Sequence, residues 1–140
     1  MNSQLYNYEL RKSESLDNKY YYNLFEIYKI LNKELYNFMI CNEVDISKYE
    51  CDYYTSYLFM IHRVFQNTFN KANKESFIKK IKYNSEVMKS NEFIECLNKA
   101  NLNIYSPLYI KLLKKREYIW IYIFEKVVKI KVYLNRVKNG

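Results

Sequence analysis

Tyr118-Ile119-Trp120-Ile121-Tyr122-Ile123-Phe124-Glu125-Lys126-Val127-Val128-Lys129-Ile130-Lys131-Val132-Tyr133-Leu134 is the stretch on which the fold class turns. In its second half, Val128, Ile130, Val132 and Leu134 alternate with Lys129, Lys131 and Tyr133, the period of a half-buried strand, and β-branched side chains favour sheet. A hairpin built from it would have to reverse at Glu125-Lys126 without the Gly, Asn or Pro that such turns use. Upstream, Ser106-Pro107 is a helix start, because Pro is tolerated in a first turn whose N–H groups have no partner. From there Leu108, Leu112, Ile119, Ile123, Ile130 and Leu134 recur on one side of a helix. The helical reading takes precedence over the strand and predicts one long basic amphipathic helix over residues 105–140.

The rest of the chain agrees with helix. Its 140 residues contain a single Gly, Gly140, and a single Pro, Pro107, so the punctuation that a sheet protein needs is missing. Residues 17–41 place Tyr20, Leu24, Ile27, Leu31, Leu35 and Phe38 at three-to-four spacing behind Asp17 as N-cap. Ser47-Lys48-Tyr49-Glu50 has the form of a capping box, and Tyr53, Tyr57, Ile61, Val64 and Thr68 follow along one face to about Asn70. Asn73 is the expected cap of a third helix through Phe77, Ile78 and Ile81, and Ser90 of a fourth through Phe93, Ile94, Leu97 and Ala100. Tyr6, Tyr8 and Leu10 alternate, which marks residues 1–15 as a short extended arm. The expected fold is all-α, an irregular bundle of about five helices in a single domain over 1–140, with helices filling 16–104 before the C-terminal helix. Hydrophobic residues make up 49% of the chain, enough for one core, and this disfavours disorder. An AT-rich genome would enrich Asn, Lys, Ile and Tyr irrespective of function, so the 17 tyrosines carry little functional weight.

Several chemistries lack their residues. His62 is the only histidine, which excludes a two-histidine metal site within one chain and leaves a structural histidine as the expectation. Cys41, Cys51 and Cys96 form no CxxC pair, so packing thiols in a reducing compartment are expected rather than a disulfide framework. Phosphate-cradling loops need glycines that this chain does not have. Asp45 and Asp52 are isolated, and the pairs Glu34 with Glu43 and Glu92 with Glu95 sit in charged surroundings that fit solvated faces. No catalytic, cofactor-binding or metal-binding residue is expected, no cofactor is implied, and this chain alone is not expected to be an enzyme. The longest apolar run, Tyr118 to Phe124, falls well short of the roughly 20 residues that cross a bilayer.

Charge supplies the remaining signal. Residues 108–140 hold nine bases and two acids, a net +7 of the chain's +8. Lys111, Lys114, Lys115, Arg116, Trp120, Lys126 and Lys129 are therefore the candidate contacts with an anionic membrane surface or a protein partner. Solvated lysines rimming a core helix are the plain alternative, and nucleic acid is disfavoured because no recognition motif accompanies the bases.

The order of segments resembles the C-terminal helical tail of bacterial family 2 glycosyltransferases, which build surface polysaccharides. Tyr6-Asn7-Tyr8-Glu9-Leu10-Arg11 resembles the strand that closes their catalytic domain, and Leu24-Phe25-Glu26-Ile27-Tyr28-Lys29-Ile30-Leu31 resembles the first tail helix. Asn84-Ser85-Glu86-Val87-Met88, Phe93-Ile94-Glu95-Cys96-Leu97 and Tyr105-Ser106-Pro107-Leu108-Tyr109 with Leu112-Leu113-Lys114-Lys115 resemble the later helices and the basic ending. Two features depart from the pattern: Glu9 stands where a second base is usual, and Ser13 and Ser15 are out of step. The nucleotide-sugar domain with its acidic pair is absent, so the resemblance implies a detached, non-catalytic piece, cytoplasmic and peripheral on the inner membrane surface, whose partner could be such a catalytic domain. The rival expectation is a free-standing helical interaction module, a viral or phage-type host-factor binder, with a groove lined by Tyr53, Tyr57 and Phe65 and the final helix buried centrally.

Overall fold

The computed structural model describes residues 19–140, and among them lie six α-helices, one turn of 3-10 helix and no strand. The helices are α1 Leu24–Cys41, α2 Ile46–Thr68, α3 Phe77–Met88, α4 Asn91–Lys99, α5 Pro107–Lys115 and α6 Tyr118–Lys138; the 3-10 turn is Leu102–Ile104. The strand alternative for 128–134 is thereby removed. The expected arm at residues 1–15 and the cap at Asp17 lie outside the described residues.

Side-chain caps set most boundaries, and they correct several expected ones. Ser90 and Ser106 accept from the N–H groups of Phe93 and Tyr109, as their spacing predicts, with Pro107 in the first turn. For α2 the cap is Asp45, whose carboxylate accepts from both the N–H and the hydroxyl of Ser47, so Ser47 is inside the helix rather than before it. For α3 it is Ser76; Asn73 instead closes the preceding turn, donating to the Thr68 carbonyl at 2.8 Å and accepting from Glu75 N–H at 3.1 Å. Among the described residues the first helix begins at Leu24, and residues 19–23, expected to be helical, lie outside it. The Asn67 side chain accepts from Tyr21 N–H at 2.9 Å and donates to its carbonyl at 2.8 Å, occupying the groups that a helix would need.

The single C-terminal helix expected over 105–140 is two helices, because Arg116 takes a left-handed conformation at φ 55° and ends α5. Glu43 does the same after α1 at φ 53°, and the bonds Val44 N–H to Met39 O and Glu43 N–H to Ile40 O complete a Schellman ending. Glycine is the usual residue at such positions. With none available there, charged side chains occupy them.

At the centre is α2, which buries Tyr54, Tyr57, Leu58, Ile61, Val64, Phe65 and Thr68. Phe65 meets Phe93 of α4 and Tyr118 of α6 at 6.3 and 5.0 Å between ring centres, and Phe69 stacks on Tyr118 at 5.8 Å. Asn84 is fully buried on α3, yet its amide accepts from Thr68 Oγ1 at 2.8 Å and donates to the Phe65 carbonyl at 3.3 Å. A buried amide is tolerated on those terms. The α1 stripe runs against expectation: Phe25 and Asn32 face α2, while Ile27, Leu31, Leu35 and Phe38 are exposed. The Asn32 side-chain amide donates to the Tyr28 carbonyl and to the Met60 sulfur, and the Asn32 backbone carbonyl accepts from Tyr53 Oη at 2.9 Å, so polar bonds hold this face against α2.

Candidate docking surface

Helix α6 contacts the rest of the fold mainly through α3 and α5, and its buried residues are Tyr118 and Ile121 in the first turn. From Lys126 onward every residue is exposed. At 1.5 Å per residue, the thirteen residues from Lys126 to Lys138 run for about 20 Å; Lys126 and Lys129 line a cleft with Gln66 and Phe69 of α2, and every residue beyond them is exposed.

That projecting half is patterned. At about 100° per residue, Ile123, Val127, Ile130, Leu134 and Val137 fall within an arc of about 80° on the side opposite Tyr118 and Ile121. They are between 46% and 61% exposed, which is high for a contiguous aliphatic row. Lys126 borders one edge of this row, Lys131 and Lys138 the other, and no acid follows Glu125. Trp120 sits near the second edge, 42% exposed, donating from Nε1 to Glu117 Oε2 at 3.0 Å. The Lys115 ammonium lies 4.7 Å from the centre of its indole, and Lys126 lies 5.2 Å from that of Tyr122.

All seven expected contact residues are exposed: Lys111, Lys114, Lys115 and Arg116 around the end of α5, and Trp120, Lys126 and Lys129 on α6. The structure joins Lys115 to Trp120 and sets Lys126 on one edge of the aliphatic row, while Lys129 turns toward the cleft beside Gln66 and Phe69; no contact links Lys111 or Lys114 to the indole. Val127, Val137, Lys131 and Lys138, which the expectation did not name, are exposed on α6 as well. Their signal was in the helical spacing, obscured by the two-residue alternation of the same segment.

Elsewhere the polar groups serve packing. His62 Nδ1 donates to the Leu58 carbonyl at 2.8 Å, which leaves Nε2 to accept from Tyr109 Oη at 3.0 Å, and burial lowers its pKa. Burial pushes the Cys96 thiol up to about 12, so it is not a thiolate nucleophile at neutral pH. Cys41 and Cys51 are exposed. Among the described residues, no three His, Cys, Asp or Glu side chains converge as a metal site would need. A groove of about 610 Å³ between α1, α2 and α4 is lined by Tyr53, Tyr57, Glu92, Glu95 and three lysines, but Phe65 lies in the core instead. Glu95 accepts from Tyr54 Oη at 3.2 Å.

No described helix is long and apolar enough to cross a membrane. No family model matches the chain, and no curated protein or solved structure is significantly similar to it.

Proposed function

We propose that this chain is a non-catalytic docking module that lays α6 on an anionic membrane surface, in the manner expected of the C-terminal region of a family 2 glycosyltransferase placed beside a lipid-linked acceptor. One observation carries the membrane part: an aliphatic row without a partner, bordered by bases on both edges. An interfacial helix has this form, with its apolar side chains at the acyl boundary and its lysines reaching anionic head groups. Five half-exposed aliphatic side chains contribute about 1 kcal/mol each on burial. The bases contribute about 1 kcal/mol each near an anionic surface. Together these are large enough to offset the cost of immobilising the chain. The same bases disfavour pairing between two α6 helices, since lysines would meet lysines along the seam. They also favour an anionic partner over a neutral one.

Co-sedimentation with vesicles tests the reading. The intact chain is expected to bind vesicles rich in anionic lipid and to leave neutral ones in the supernatant. Ile130→Asp with Leu134→Asp should abolish binding while helix content by circular dichroism stays unchanged. Equal binding to both vesicle types, or retention by the double variant, would remove the membrane part. The family part makes a separate demand: an adjacent upstream reading frame encoding the catalytic domain.

A further inference from the structure

We propose that the groove between α1, α2 and α4 binds a small zwitterion, a molecule with a primary ammonium at one end and a carboxylate or phosphate at the other. The proposal is independent of the membrane reading, because the groove includes no residue of α6. Its volume of about 610 Å³ falls in the range of small-molecule sites.

The two walls of the groove carry opposite charge. Lys29 and Lys33 stand one turn apart on α1, Glu92 and Glu95 one turn apart on α4, and all four line the groove. Contacts with α2 set them across from one another. Glu95 accepts from Tyr54 Oη at 3.2 Å on the α4 side. On the α1 side Tyr53 Oη donates to the Asn32 carbonyl and its ring lies 5.8 Å from that of Tyr36, which places Lys33 over the same stretch of α2. No ion pair crosses the groove among the described residues. Lys29 is held by Glu26 at 2.8 Å on its own helix, while the side chains of Lys33 and Glu92 have no ion pair or hydrogen bond among the described residues.

The floor supplies the third group. Tyr57 is 5% exposed, yet its hydroxyl has no hydrogen-bond partner among the described residues and opens into the groove. A phenol buried to that extent ordinarily finds one. Burial first, and the Glu92 charge second, raise its pKa, so at neutral pH it is an uncharged group able to accept from an ammonium or donate to an anion.

These three groups select the ligand class. An ammonium meets Glu92 and Tyr57, and an anion on the same molecule meets Lys33 on the opposite wall. An anion alone would face the glutamates and a cation alone the lysines, each leaving a charge opposed. A neutral hydroxylated molecule would leave Lys33 and Glu92 without an opposite charge.

Chemical-shift titration of the isotope-labelled full chain is the test, with O-phosphoethanolamine and β-alanine as the phosphate and carboxylate probes. At least one of them should produce saturable shifts at the amides of Lys33, Tyr57 and Glu92, and the tighter of the two assigns the anionic end. The separate halves, ethanolamine, inorganic phosphate and propionate, should bind at least about tenfold more weakly. Tyr57→Phe, which removes the unpartnered hydroxyl alone, Lys33→Gln and Glu92→Gln should each weaken binding by about tenfold with helix content unchanged. No saturable shift with either zwitterion, equal binding by one of the halves, saturable binding of glucose at the same amides, or unaltered affinity in the three variants would each overturn the proposal.

Discussion

His62, Glu125 and Asn84 show how single residues set the behaviour of this fold. His62 is held neutral by burial, its proton on Nδ1 facing the Leu58 carbonyl. Its folded pKa lies below the ordinary value near 6.5, so the stability tied to it is present above about pH 6.5 and is lost as pH falls through the folded value. The thermal midpoint should fall between about pH 7 and pH 5, and the fall should be smaller in His62→Gln. Glu125 works in the opposite sense. Burial raises its pKa despite Lys129 and Lys126 nearby, so its contribution is largest below the unfolded value and is lost as pH rises through the folded one. Glu125→Gln is therefore expected to raise the midpoint near pH 7 and to leave it unchanged near pH 3. Asn84 bridges α3 to two groups on α2, and Asn84→Ala should cost about 2–4 kcal/mol by chemical denaturation, through the cavity and the unpaired Phe65 carbonyl.

At the scale of the element, the scarcity of glycine has a measurable consequence. Glu43 holds a left-handed conformation that costs a side-chain-bearing residue about 1–2 kcal/mol. Glu43→Gly relieves most of that strain, less the entropy that glycine adds to the unfolded chain, and should raise stability by about 1 kcal/mol, or about 3 °C in midpoint. The caps at Ser90 and Ser106 were legible in the sequence because a serine three residues before its N–H partner is a local signature. The start of α1 was not, since the bonds that keep Tyr21 out of the helix come from Asn67, 46 residues away. Helix α6 is stable as secondary structure only while its first turns are anchored, because an isolated helix of about thirteen residues is marginal in water. Amides from Lys126 to Lys138 should exchange rapidly in the free chain and become protected on anionic vesicles, as read by hydrogen exchange with mass spectrometry.

For the molecule as a whole, the core and the proposed docking surface are separable. The buried cluster draws on every helix but ends on α6 at Ile121. Removing residues 126–140 should therefore change the midpoint by less than about 2 °C, within the range of surface changes. It should abolish vesicle binding. The binding of the full chain should weaken steeply with added salt, since exposed charges act over only about 10 Å at 0.1 M.

Sequence by itself determined the helical class, the four or so strongest helices, and the basic character of the C-terminal region. These follow from local spacing, the lack of turn residues, and composition, none of which needs a partner element. Tertiary structure alone decided which face of each helix points inward. On α1 the apolar row Ile27, Leu31, Leu35 and Phe38 has the stronger periodicity, yet Asn32 faces α2, where Met60 meets its side-chain amide and Tyr53 its backbone carbonyl. The break at Arg116 and the projection of α6 were likewise decided by packing, since where a core ends depends on the volume that the other helices fill.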